Sequence, residues 1–360
     1  MAPVRVHLDP GRLLREEPGT GHNRWHPDLE PIAAVREGEE ITLETRDGID
    51  GQLGPGSTVD DVLALDLGLG QPLTGPVLVE GTMPGDVLEV EILALESAST
   101  GITAIYPGFG LLAEDFPNPY LVVWEIRDGT ARAAELPGVA VPEDLFPGVL
   151  GVAPSHALIS STRAREEALR ARGGPVAEEL PDRAVPALAA AGLRTIPPRE
   201  TGGNLDVRQL VAGSRIFFPV EVAGALFSVG DVHFAQGDGE VCGFGVEVAG
   251  AVTVRFRVHR DPAWRPRFPS FETPGRPERR CRATTGMPIT AGGRNEPMDL
   301  TLAAQNALRE LISWLGAAHD LAPEAAYCLA SAACDLRISE VVDVPNPVVS
   351  ALLPTDIFEP

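Results

Sequence analysis

Residues 224–259 read GALFSVGDVHFAQGDGEVCGFGVEVAGAVTVRFRVH. Two runs rich in β-branched and aromatic residues enclose a short polar, glycine-broken loop, so this stretch is strand, loop and strand rather than helix. The same signals extend back to Arg215 through IFFPVEV. Further upstream, EEITLETRDGIDGQL places Ile41, Leu43 and Thr45 on one face of a strand and Thr42, Glu44 and Arg46 on the other, the pattern of a half-buried strand with a wet face. GPVLVEGTMPGDVLEVEIL adds Val77 and Val79, then Leu88, Val90 and Ile92, across a turn-rich Gly-Thr-Met-Pro-Gly-Asp, which reads as two paired strands.

Helical periodicity is convincing only near the C-terminus. From about Asp299 to Leu315 apolar residues recur at three- and four-residue steps with Asp299 placed to cap them, and this helix is expected to pack on a sheet. PEAAYCLASAA begins a second helix with Pro323 in its first turn. Residues 163–200 alternate charge, alanine and proline, predicting a short exposed helix followed by a surface excursion and the one soft boundary in the chain. These elements together define an α+β, β-rich fold.

Composition excludes several activities. The net charge of −22 over 360 residues repels phosphate backbones and anionic membranes, so neither nucleic acid nor a membrane is an expected partner. There is no lysine, and all 29 basic residues are arginine. A Schiff-base lysine, a pyridoxal-phosphate anchor, a GxxxxGK[ST] phosphate loop and the Ser-Ser-Lys and Glu-Lys-Cys amidase sets are therefore excluded. Cys242, Cys281, Cys328 and Cys334 form no CxxC pair and are expected as buried free thiols. With no signal-peptide run and no long apolar segment, a soluble, cytoplasmic protein is expected.

Candidate chemistry concentrates in GDVHFAQGDGE, where Asp231, His233, Gln236, Asp238 and Glu240 fall within eleven residues. At i and i+2 of an extended segment Asp231 and His233 leave one face and converge on one metal ion, while Gly237 and Gly239 let the chain turn so that Asp238 or Glu240 returns to it. The alternative is a solvated hairpin with a hydrogen-bonded histidine. GGNLD offers Asn204 and Asp206, which either orient a polar substrate or form a turn. HNRWHPDLEP carries His22, Trp25 and His26, followed by Glu44 and Asp47 on and after the first strand. There is no GxSxG elbow, HExxH or GxGxxG, so metal-activated water with a carboxylate base is the hydrolytic mechanism the inventory supports.

The chain resembles the acetamidase/formamidase family along nearly its whole length. HNRWHPDLEPIAAVREGEEITLETRDGIDGQL is similar to that family's opening. GPVLVEGTMPGDVLEVEIL, FPGVLGVAP, GGNLDVRQL and GALFSVGDVHFAQGDGEVCGFGVEV resemble its central blocks, and AAYCLASAACDLRISEVVDVPNPVVSALLP its last one. Residues 163–200 match no block. The resemblance implies one integrated domain over 1–360, a layered β/β/α sandwich with helices mainly near the C-terminus, a homo-oligomer, and hydrolysis of a small carboxylic amide to acid and ammonia. Asp231, His233, Asp238 and Glu240 carry over as site candidates. For a metal-assisted reaction, a divalent cation, zinc, is expected on Asp231 and His233 with Asp47 or Asp206. Glu240 is then the preferred base, with Asp238 and His233 as further catalytic candidates, and Asn204 and Gln236 contact the substrate. The alternative is a non-catalytic member that binds a small amide or a protein.

Overall fold

The structure, a computed structural model, describes residues 4–9, 11–275 and 278–359. A six-stranded sheet runs in the order Val4–Val6, Glu40–Thr45, Gly250–His259, Val87–Ser97, Arg215–Pro219 and Ser270–Glu272. A larger sheet runs Val141–Pro142, Thr130–Ala133, Tyr120–Arg127, Thr100–Ile105, Glu247–Val248, Phe227–His233, Phe146–Gly151 and Gly202–Asn204, with Leu73–Val79 also bonded to Phe227–His233. Ile41, Leu43, Val90 and Val252 of the first sheet share one hydrophobic core with Val77, Val122, Phe227 and Val232 of the second. The stretch quoted first thus contributes its first strand to the larger sheet and its last to the smaller.

The C-terminal helix spans Leu300–His319, its N-terminus capped by the Asp299 carboxylate, which accepts the Leu302 N–H at 3.0 Å. It runs four residues beyond the expected end because a residue able to hold a left-handed φ, Asp320 at +54°, comes only there. Leu308 and Leu311 are wholly buried. The helix packs on a three-stranded sheet formed by Cys281–Gly286, Val348–Pro354 and Asp335–Glu340. Gly286 permits the contact, since a Cβ there would lie 2.1 Å from the Ala303 carbonyl oxygen. The second helix, Pro323–Ala333, lies against Leu300–His319 on one side and the strands Thr100–Ile105 and Tyr120–Arg127 on the other, completing the sheet, sheet and helix layers.

Four expectations are corrected. Leu73–Val79 and Val87–Ser97 do not pair, because the turn between them carries the chain from one sheet to the other. The outer face of Glu40–Thr45 is not wet: Thr42 hydrogen-bonds Thr253 at 2.9 Å, and Arg46, 4% exposed, is covered by the N-terminal segment through Glu17 at 2.7 Å and the Arg12 carbonyl at 2.8 Å. A substantial helix also occurs mid-chain, at His156–Arg170, starting before the region expected to hold it because Ser155 supplies the N-cap. Cys242, Cys328 and Cys334 are buried, but Cys281 is exposed on its strand.

Leu308→Ala and Leu311→Ala are each expected to cost roughly 2–5 kcal/mol of stability and to leave turnover per folded molecule unchanged. Thermal melts paired with rates on the soluble fraction measure both, and an unshifted melt contradicts the packing described.

Candidate active site

The centre of the larger sheet holds a cluster of ionisable side chains withdrawn from water. His233 ends the strand Phe227–His233 and lies directly opposite Glu247 in antiparallel register, with Phe146 opposite on its other side. The imidazole meets the Phe146 ring edge-on at 5.1 Å between centroids. Its Nε2 is 3.1 Å from Glu247 Oε1 and 3.4 Å from Asp231 Oδ1, and all three residues are buried. Asp231 has φ of +57°, a conformation an aspartate tolerates but few other side chains do.

Neither ring nitrogen of His233 makes a well-formed hydrogen bond, nor does either Asp231 carboxylate oxygen, nor Asp206 Oδ1. Buried polar atoms ordinarily have partners, so this group of orphans marks a place built for something other than its own side chains. Asp231, His233 and Glu247 each offer a ligand atom, all within 4.8 Å of one another; Asp206, His233 and Glu240 form a second such group on the same imidazole. Glycine makes room for them. A Cβ on Gly48 would lie 2.1 Å from Asp231 Oδ1, and one on Gly148 would lie 2.6 Å from Asp206 Oδ1 and 2.7 Å from Asp231 Oδ2. Nitrogen and carboxylate donors converging in this way suit a divalent cation of the zinc class.

Burial pushes Glu247 up to about 8, against the opposing pull of His233. Burial also raises Glu240 and Asp206 well above the usual carboxylate range, and each is held up further by neighbouring acids. For His233 burial acts to lower the pKa, but the charges of Glu247 and Asp231 win and raise it. Asp47 is pushed up to about 6 by burial, while N–H donors from Gly51 and Ile49 oppose the rise.

A cavity of about 300 Å³ opens onto this cluster, with Glu240, Glu247, Asn204, Gln71 and Gly48 among its lining residues. The Oδ1 of Asn204 and the Oε1 of Gln71 are buried and unpartnered. A larger, more open cleft of about 580 Å³, beside His259 and Trp264, contains none of these residues. We take the smaller one as the site, because chemistry requires reactive groups rather than volume.

The expected site residues separate into two groups. Asp231, His233, Asp206 and Glu240 come together, and Asn204 lines the cavity with Glu240. Asp47 approaches Asp231, but its Oδ1 is occupied by the N–H groups of Ile49 and Gly51 at 3.0 and 2.9 Å. Gln236 does not line the cavity; it donates weakly to the Asp206 carbonyl at 3.4 Å. Asp238 faces away and accepts from Gln209 at 3.0 Å in another cleft. The reason is local: the turn at Gly239 (φ +107°) and Glu240 (φ +42°) returns Glu240 to the cluster, whereas Gly237 provides close approach, its absent Cβ lying 1.9 Å from the Cys334 carbonyl oxygen. Glu247 and Gln71 were missed. A charged residue inside the apolar run GFGVEV was the available signal for Glu247; Gln71 had none.

Fold and cluster together describe a β/β/α sandwich with a buried group of carboxylates and one imidazole at the middle of its larger sheet. The acetamidase/formamidase family model matches residues 7–360, and the chain belongs to that family. It is 33% identical to a formamidase of Methylophilus methylotrophus over 98% of this chain and 93% of the relative. It is 34% identical to an acetamidase of Mycolicibacterium smegmatis over 88% and 86%. In structure it is similar to a gamma lactamase from Delftia acidovorans, with a TM-score of 0.93 and 33% identity over 98% of this chain and 92% of that one.

A group whose pKa is raised by folding holds its proton more tightly in the folded chain, so stability falls as pH rises from the ordinary value to the raised one. Glu247 and Asp47 act in this sense, as do Asp206, Glu240 and His233. Chelator-treated protein is therefore expected to be less stable at about pH 8 than at about pH 5, by on the order of a few kcal/mol. A divalent cation should restore the loss, and Glu247→Gln should flatten the slope. Melting curves across pH measure this; a chelated protein that gains stability over that range contradicts it.

Proposed function

We propose that this protein hydrolyses small carboxylic amides with water activated at the Asp231–His233–Glu247 cluster. Water adds to the carbonyl carbon, the C–N bond breaks, and a proton passes to the leaving nitrogen, giving a carboxylate and ammonia. The observation that carries the reading is the set of buried atoms on Asp231 and His233 without a well-formed hydrogen bond, beside Glu247 and Glu240, which line the cavity. The formamidase and acetamidase relatives support the amide as the bond attacked.

Asp231, His233 and Glu247 would hold a divalent cation such as zinc, with Asp206 alongside. When bound, it polarises the amide carbonyl and lowers the pKa of water. Glu240 takes the proton from the attacking water and delivers it to nitrogen; burial raises its pKa well above the usual carboxylate range, which makes it a stronger base than an exposed glutamate. The unpartnered Asn204 and Gln71 oxygens accept the amide N–H groups and set the orientation of the carbonyl. Phe146 and the sheet around it keep bulk water from the imidazole. Homo-oligomer formation is part of the proposal. What supports it is an exposed apolar strip of Ile338, Val342 and Val344, at 58, 75 and 78% exposure, which a second copy would cover.

Ammonia release from formamide and acetamide should be lost on chelation and recovered with zinc. His233→Ala and Glu247→Gln should each lower kcat/KM by at least about 100-fold and reduce bound metal, whereas His7→Ala, on the surface beside Glu44, should do neither. Full metal content and turnover in folded His233→Ala would sink the mechanism. No release from any amide with metal supplied would favour a binding protein instead. Light scattering should give a multiple of 38.1 kDa; a stable particle of that mass excludes the oligomer.

A further inference from the structure

Residues 171–200 take no part in the chemistry proposed above, yet Ala177, Glu178, Leu180, Arg194 and Ile196 form one wall of the cavity. The segment is fastened in place. Arg24, 1% exposed, donates to the carbonyls of Leu180 and Glu179 at 2.9 and 3.3 Å, and Arg194, 7% exposed, bridges the carbonyls of Glu178 and Leu67 at 2.9 and 2.6 Å. Asn23 receives the Val185 N–H at 2.8 Å, and Arg24–Trp25 pair in antiparallel register with Leu193–Arg194. Buried arginines committed to backbone carbonyls fix a loop's position, which a mobile surface segment does not require.

The cavity so formed is too large for the smallest amides. At about 30 Å³ per water-sized unit, 300 Å³ holds about ten units, whereas formamide and acetamide have roughly three and four heavy atoms. Ile49, Leu67, Tyr106, Leu180, Ile196 and Phe244 supply apolar lining around the polar floor. Arg194 is the one cation among the described lining residues; its Nη atoms are occupied and only its Nε is left without a partner, while Glu178, Glu240 and Glu247 all bear on the space. An anionic group on the substrate would meet three carboxyl groups against one guanidinium.

We propose that residues 174–196 form the specificity wall of this site, and that the preferred substrate is a neutral amide carrying an apolar group of about four to seven carbons. The proposal rests on the amide-hydrolase reading and specifies which amide.

The test compares kcat/KM of the full-length, metal-loaded protein for formamide, acetamide, cyclohexanecarboxamide, the anion succinamate and the cyclic amide 2-piperidinone. The last is followed by its ring-opened amino acid because it releases no ammonia. Cyclohexanecarboxamide or 2-piperidinone should exceed formamide by at least about 100-fold, since each well-packed methylene is worth about tenfold or more; which of them does so tells whether the apolar group lies on the acyl carbon or closes onto nitrogen. Leu180→Ala and Ile196→Ala should each lower that preference about tenfold. Formamide hydrolysed as well as both bulky amides overturns the proposal but leaves amide hydrolysis standing. A preference unchanged in both variants, or succinamate turned over as well as the bulky amides, also overturns it. Failure to hydrolyse any amide removes the underlying reading itself.

Discussion

Five ionisable side chains, Asp206, Asp231, His233, Glu240 and Glu247, share one region nearly closed to water, and the surrounding structure is shaped by that constraint. An isolated charge in such a place is heavily penalised, and an acidic cluster is penalised further by mutual repulsion. The imidazole of His233 offsets part of this by lying between Glu247 and Asp231, at 3.1 and 3.4 Å. The rest remains as protons held at unusually high pH, with Glu247 at about 8. A cation bound there would remove the repulsion and release those protons, and its binding would then be coupled to protonation and folding.

Such a cluster needs a rigid support, and the sheet provides it. The strand Phe227–His233 is bonded to Phe146–Gly151 on one edge, and to Leu73–Val79 and Glu247–Val248 on the other, so its backbone cannot relax to separate the charges. Gly48 and Gly148 then bring neighbouring backbone against the carboxylates more closely than any side chain would allow. The segment 163–200 and the opening HNRWH also acquire a joint explanation. Asn23, Arg24 and Trp25 are the anchor, and the segment is what they hold against the cavity. The polar character of that opening reflects carbonyls to be satisfied, since His22 pairs with Ser228 at 2.8 Å rather than joining the cluster.

Much of this was legible in the linear chain because it depends on local rules. Strand composition, the Asp299 cap, Pro323 in a first helical turn and the grouping of Asp231, His233 and Glu240 are all set by residues within a few positions of one another. Local periodicity reports which face of an element is apolar but not what covers the other face. The strand Glu40–Thr45 was therefore read as half-wet, and Leu73–Val79 was paired with the wrong neighbour.

What the sequence alone determined is the β-rich class, the two C-terminal helices, the exclusion of lysine chemistry and the neighbourhood of the site. What only the tertiary structure decided is which side chains share the candidate site. Glu247 enters because antiparallel register places it opposite His233, fourteen residues away in the chain. Asp238 leaves because the turn at Gly239 and Glu240 returns only the second of two nearby carboxylates, and the cavity gains a wall from a segment more than a hundred residues beyond its anchor. Each of these depends on cross-strand pairing and long-range packing, which no periodicity in a single chain encodes.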